Sequence, residues 1–295
     1  MSFWVWGVSA AGLLAVGGIA LNMLGRYSGL TVPREDPATV AALLEPFLVE
    51  TRPAGAGPFP TALLFSGCDG VRDNLATWAE ALVAQGWATI VVDSHTPRGF
   101  TSLQIWRLIC AGQLFQGAER AGDVAVAIAL ARERAYVDGD RLALIGASHG
   151  GWAILEFLSV ADHGQRPMTL TRWPEAPAGR PQAGLGATVL FYPYCGQLSR
   201  AARRGWTSAI PTLFLLVQDD AIADEEDCLA LAAREAARGL PIETKVYPRV
   251  THGFDQRAKA PLSTLGYDGA TTATAVSDAV TFLLREVTKA GPAGE

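Results

Sequence analysis

The chain has 295 residues, 49% hydrophobic and 18% charged. That is enough for one large domain with a substantial core, and too apolar for a disordered or fibrous chain. The formal charge is −5 and no basic stripe occurs, so nucleic acid is excluded as an expected partner. Four cysteines without CxxC spacing, and four histidines without HxxxH or HExxH spacing, argue against a zinc site.

Residues 1–25 stand apart from the rest. Between residues 3 and 24 there is no charged side chain, and Asn22 is the only strongly polar one. About 20 apolar residues cross a bilayer as a helix, so the first expectation is a single-pass membrane anchor, with residues 3–24 in lipid and projecting from the rest of the chain. A cleaved signal peptide is the second reading and would make the protein secreted or periplasmic. Gly18-Ile19-Ala20 offers a cleavage site, but no Lys or Arg precedes the apolar run. A helix buried in the domain is the third. Arg26 and Arg34 follow the segment, which by the positive-inside rule places the remainder in the cytoplasm.

Residues 26–60 form a proline- and glycine-rich connector and lead-in, with a short helix over 37–49. From residue 61 to about 290 the pattern alternates regularly. Strands are predicted at 61–66, 87–93, 141–145, 187–192, 212–217 and 242–247, the first two as buried strands because they are short apolar runs bounded by turn residues. Helices are predicted at 74–85, 115–135, 151–160, 225–238 and 272–288. Such alternation implies an α/β domain with a mostly parallel sheet and helices on both faces. The irregular insertion 162–186, with four prolines and Trp173, interrupts the rhythm and is expected to be a flap over the site or a surface excursion.

The most specific signal is Gly146-Ala147-Ser148-His149-Gly150, a G-x-S-x-G placed directly after a strand and directly before a helix. That is the setting of a nucleophile elbow, and it makes Ser148 the candidate nucleophile of an α/β-hydrolase fold. A serine needs a base, and the base needs an orienting acid; in this fold the order is Ser, acid, His. The strand at 212–217 ends in Gln218-Asp219-Asp220, and that at 242–247 is followed by His252. Loops at the carboxyl ends of parallel strands are where such sheets carry their sites. His252 is therefore the candidate base, and one of two adjacent aspartates the acid. The oxyanion donors are expected to be the backbone amides of His149 and of Cys68 or Asp69 in the 66–70 loop. Arg72 and Arg98 lie in loops that could reach a substrate carboxylate or form structural ion pairs. Cys195 and Cys228 follow neighbouring strands and are expected to be spatial neighbours.

These segments resemble the dienelactone hydrolase family over residues 58–288. Ser66-Gly67-Cys68-Asp69-Gly70 is similar to the family's H-G-x-G-G loop, 92–99 to D-S-F-x-P-R-G, and 247–255 to Y-P-x-x-x-H-x-F-D; the 146–151 elbow and 191–196 complete the match. The resemblance implies an ester or lactone hydrolase that needs no metal or organic cofactor and takes a small-molecule substrate. It favours Asp219 over Asp220; in the expected mechanism the Cys68 and His149 amides bind the oxyanion. The namesake enzymes use cysteine where this chain has Ser148, which points to a carboxylesterase-like branch. A peptidase on the same fold and a catalytically idle membrane-bound interaction domain are the competing readings.

Overall fold

Seven strands hydrogen-bond into one sheet in the order β1-β3-β2-β4-β5-β6-β7 in the computed structural model, which describes residues 3–259 and 263–289. The strands are β1 (Leu48–Thr51), β2 (Phe59–Phe65), β3 (Ala88–Val92), β4 (Val137–Ala147), β5 (Leu185–Phe191), β6 (Thr212–Val217) and β7 (Ile242–Tyr247). All neighbours are parallel except β1, which runs antiparallel beside β3 with Leu48 opposite Val92. β1 lies in the proline-rich lead-in, and with only one half-buried side chain and three exposed ones it carries no buried-strand pattern.

Alternation along each strand divides the core into two layers. In β2, Leu63 and Phe65 face one layer while Ala62 and Leu64 face the other, as the two-residue period of a strand dictates. The first layer is covered by α2 (Pro37–Leu44), α4 (Gly117–Arg132) and α5 (His149–Asp162). The second is covered by α3 (Asp73–Val83) and α7 (Gly269–Lys289). α6 (Glu225–Ala237) places Cys228 and Leu231 in the first layer. Central strands buried on both faces explain why β2 to β6 read as continuous apolar runs.

The N-terminal segment forms one helix, α1 (Phe3–Ser28). Among the described residues no helix is long and apolar enough to cross a membrane, so the span expected over residues 3–24 is not supported; the side chains of 3–13 and of Ala15 lie outside the described residues. The end of α1 does not project freely. Asn22 Nδ2 donates to the Gln113 carbonyl at 2.7 Å, Arg26 pairs with buried Glu119 at 2.8 Å, and Arg203 donates to the Tyr27 hydroxyl at 3.1 Å. The described apolar side chains of the preceding turns, Leu14, Val16, Ile19, Leu21 and Leu24, are exposed.

The insertion 162–186 is not a flap. Leu170 is fully buried, bridges to Glu35, and with Trp173 joins the first core layer; Thr169 donates to the Glu119 carbonyl at 2.9 Å. None of its residues is among those lining the cavities at Ser148.

Cys195 and Cys228 are neighbours as expected and form a disulfide with Cα atoms 5.1 Å apart. A second disulfide, Cys68–Cys110, joins the 66–70 loop to the segment before α4. The Cys195–Cys228 bond ties the end of β5 to α6 across 33 residues. Replacing both cysteines with serine is expected to lower the unfolding free energy by about 2–4 kcal/mol, read from denaturant midpoints; an unchanged midpoint would show that the bond contributes nothing to stability.

Candidate active site

Ser148 sits between β4 and α5 with φ 51° and ψ −111°, a left-handed conformation that costs energy in a non-glycine residue. The surroundings hold it there. A Cβ at Gly146 would lie 2.5 Å from the Gly151 nitrogen, and one at Gly150 would lie 2.3 Å from the Phe65 carbonyl oxygen. Both glycines are therefore required by close backbone approach rather than by their dihedrals. The Ser148 amide donates to the Phe191 carbonyl at 2.8 Å, which fixes the turn against β5.

Ser148 Oγ lies 2.9 Å from His252 Nε2, and His252 Nδ1 lies 2.7 Å from Asp220 Oδ2. With a carboxylate at Nδ1, the proton belongs on that nitrogen, leaving Nε2 to accept from the serine hydroxyl. Asp220, not Asp219, makes this contact. The Asp219 expectation is corrected by the turn itself: Asp219 adopts φ 55°, and its carboxylate is turned outward, accepting from Gln218 Nε2 at 3.3 Å. Asp220 instead closes a loop with its own Oδ1, which accepts from the amides of Ile222 (2.9 Å) and Ala223 (3.1 Å). Glu225 holds the turn from outside, accepting both the Asp219 and Asp220 amides at 2.6 and 3.0 Å.

The imidazole of His252 packs against Tyr192 with ring centroids 4.5 Å apart. The Tyr192 hydroxyl donates to Asp255 Oδ1 at 2.5 Å, and Asp255 Oδ2 accepts from Trp78 Nε1 at 2.8 Å. Burial, followed by the Asp255 charge, pushes the Tyr192 phenol well up, so it stays protonated and fixed as a donor. Sequence reading passed over Tyr192 and Asp255, although both lie in segments that carried the family resemblance.

On the opposite side of Ser148 lie the residues expected to supply oxyanion amides. A Cβ at Gly67 would come within 3.8 Å of Ser148 Cβ, so the 66–70 loop passes directly beside the serine. Cys68 and His149 line the same cavity as Ser148. The His149 ring points away into the protein. Its Nε2 faces the Phe115 carbonyl at 2.8 Å and so carries the proton, leaving Nδ1 to accept from Arg120 at 3.3 Å. Arg120 is fully buried and also donates to the Ser66 carbonyl at 2.6 Å and to Ser94 Oγ at 3.0 Å. Burial, reinforced by the Arg120 charge, pulls the His149 pKa down to about 3. Arg98 is committed to a two-pronged pair with Asp123 at 2.8 and 3.0 Å, and Arg72 to Asp69 at 3.3 Å; both have structural partners. His163 bonds the Ser159 carbonyl within its own helix, away from the site.

Two cavities meet at Ser148, one of about 300 Å³ and one of about 250 Å³. The Cys68–Cys110 bridge borders both. Among the described residues no group of three or more His, Cys, Asp or Glu side chains is placed to hold a metal ion.

A family model described as the dienelactone hydrolase family matches residues 176–287. No curated protein matches the chain. Among solved structures, it is similar to a protein described as a dienelactone hydrolase from Klebsiella pneumoniae, with 16% identity, 81% of this chain and 92% of that chain covered, and a TM-score of 0.60. It is similar also to esterase 2 of Thermogutta terrifontis phosphorylated by paraoxon, at 18% identity, coverage of 81% and 88%, and a TM-score of 0.60. The native form of that esterase gives 18% identity, coverage of 84% and 90%, and a TM-score of 0.58. These likenesses show the fold.

The neutral His149 has a measurable consequence. Its folded pKa lies below the ordinary histidine value, so on acidification the unfolded chain takes up a proton that the folded chain refuses. Stability is therefore lost as pH falls from about 6.5 toward about 3. His149→Gln is expected to flatten the dependence of unfolding free energy on pH between 6 and 4 by up to one proton, about 1.4 kcal/mol per pH unit. An unaltered slope in denaturant titrations at several pH values would show that His149 is not held neutral.

Proposed function

We propose that the chain, which matches the dienelactone hydrolase family model over residues 176–287, is a serine hydrolase of small-molecule carboxylic esters, with Ser148 as nucleophile, His252 as general base and Asp220 as the orienting acid. The observation that carries this reading is the chain of two hydrogen bonds from Ser148 Oγ through His252 to Asp220. In this mechanism Ser148 Oγ attacks the acyl carbon while its proton passes to His252 Nε2. Asp220 stabilises the imidazolium and keeps the ring oriented. The backbone amides of Cys68 and His149 receive the negative charge that builds on the carbonyl oxygen. Collapse expels the alcohol, which takes the proton from His252. A water, deprotonated by the same base, then releases the acid and restores the serine.

The two disulfides support a second element of the proposal: the hydrolase domain works in an oxidising compartment, since such bonds persist in secreted, periplasmic or lumenal proteins. This runs against the charge rule applied to Arg26 and Arg34.

A labelled fluorophosphonate and paraoxon are both expected to modify the wild-type protein at one residue, Ser148, and Ser148→Ala is expected to lose labelling together with para-nitrophenyl ester hydrolysis by roughly three orders of magnitude or more. Labelling elsewhere, or a Ser148→Ala enzyme that keeps about a tenth of the wild-type rate, would overturn the assignment. The two aspartates are expected to separate cleanly. Asp220→Asn should reduce kcat/KM by roughly two orders of magnitude or more, by stabilising the wrong imidazole tautomer, while Asp219→Asn should stay within about twofold. The reverse order in steady-state kinetics would exchange their roles.

A further inference from the structure

The two cavities at Ser148 differ in what lines them. The larger includes His252, Asn74, Trp106 and Lys259. The smaller includes His149, Trp152, Tyr194, Leu198 and, from the N-terminal helix α1, Met23. We propose that the smaller cavity is the acyl-chain pocket, that it selects esters of short, uncharged, apolar acids, and that Met23 of α1 sets the length of chain it admits. The inference rests on the hydrolase reading above and assigns the two sides of its substrate.

The assignment follows from where the protons and charges go. The leaving alcohol takes its proton from His252 Nε2, so its oxygen lies on the His252 side, and among the described residues His252 lines only the larger cavity. The acyl group stays bonded to Ser148, with its carbonyl oxygen toward the Cys68 and His149 amides. Cys68 and Ser148 border both cavities, but among the described residues His149 lines the smaller one alone. Among the described residues its lining contains no Asp, Glu, Lys or Arg, so an acyl group bearing a carboxylate would be buried there without a counter-ion, at a cost of several kcal/mol. The larger cavity holds Lys259 and Asp69 and tolerates polar alcohols.

Met23 is held in place. Its Cε lies 3.9 Å from the point a Cβ on Gly112 would occupy, and Leu198 Cδ1 reaches within 2.8 Å of that same point, so the two side chains close the pocket over Gly112. The neighbouring residue, Asn22, donates to the Gln113 carbonyl (2.7 Å) and to Gln113 Oε1 (3.1 Å). One turn on, Arg26 pairs with Glu119, whose other carboxylate oxygen accepts the Gln116 amide at 3.0 Å. A flexible thioether walled in this way acts as an adjustable stop.

Two ester series test it. In one, para-nitrophenol is constant and the acid runs from acetate to octanoate; in the other, the acid is acetate and the alcohol lengthens. Met23→Trp is expected to lower the ratio of hexanoate to acetate kcat/KM by roughly tenfold or more, and Met23→Ala to raise the octanoate-to-acetate ratio by a similar factor. Leu198→Trp fills the same pocket from the hydrolase domain and should also lower the ratio, so the proposal remains testable should the Met23 variants fold poorly. The alcohol series should keep its profile in all three. If the acid profile holds within about twofold in the variants that fold, or if the alcohol profile moves instead, the pocket assignment is wrong. Failure of the underlying hydrolase reading is distinguishable, because wild-type Ser148 would then resist fluorophosphonate.

Discussion

The site depends on one backbone contact, the approach of the first turn of α5 to the carboxyl end of β2. At Gly150 there is no room for a single carbon, since it would lie 2.3 Å from the Phe65 carbonyl oxygen and 2.7 Å from that of Ser66. β2 and β4 are adjacent and parallel, with Phe65 paired to Gly146. The strand that carries the serine and the strand that carries the 66–70 loop therefore end at the same level. The missing side chain at Gly150 lets the helix start close against that loop. This one approach places Ser148, Cys68 and His149 around a common cavity. The strain at Ser148 persists because the sheet on one side and the helix on the other over-determine the turn.

Arg120 secures the same junction from below. A buried guanidinium ordinarily sits against a carboxylate, but the nearby Asp123 is occupied by Arg98. Arg120 instead donates to neutral acceptors at the ends of three elements: the Ser66 carbonyl and hydroxyl after β2, Ser94 Oγ after β3, and His149 Nδ1 at the start of α5. Burial, reinforced by this charge, keeps a second proton off His149, whose Nδ1 must remain an acceptor for the network to close. The Cys68–Cys110 disulfide extends the tie outward to the segment that borders both cavities. The serine environment is thus fixed through backbone, a buried cation and a covalent bridge, none of which touches the serine hydroxyl itself.

Much of this was legible in the sequence because it rests on local pattern. β6 falls where its apolar run falls, β7 has the predicted bounds, and α4 is a shortened version of the predicted helix. The elbow was legible because G-x-S-x-G between a strand and a helix is a steric requirement written in residue types. What could not be read depended on side-chain direction or on distant partners. Asp219 and Asp220 are chemically identical, and only the left-handed φ of Asp219 decides which one faces His252. Spacing along the chain paired Cys195 with Cys228, since their loops follow neighbouring strands. Cys68 and Cys110 meet because an irregular segment folds back over the first loop, for which no periodicity exists. The 162–186 insertion was ambiguous for a similar reason: its prolines announce a non-repeating path, while Trp173 and Leu170 direct that path into the core.

α1 inverts the usual arrangement of a helix on a soluble domain. Its polar residues, Asn22, Arg26 and Tyr27, make the contacts with the domain, whereas its described apolar residues, Leu14 through Leu24, point away. A docked helix normally buries its apolar stripe and presents its polar one. Here docking is achieved by hydrogen bonds and an ion pair, which fix direction as well as distance, and among the described residues of α1 only Met23 turns an apolar side chain toward the cavities. Such contacts specify register: a rotation of α1 by one residue, about 100° around its axis, would break the Asn22 and Arg26 bonds together and carry Met23 off the pocket. The exposed apolar side chains described between Leu14 and Leu24 therefore belong to the outer surface of this helix, and Asn22, Met23, Arg26 and Tyr27 determine how it joins the hydrolase domain.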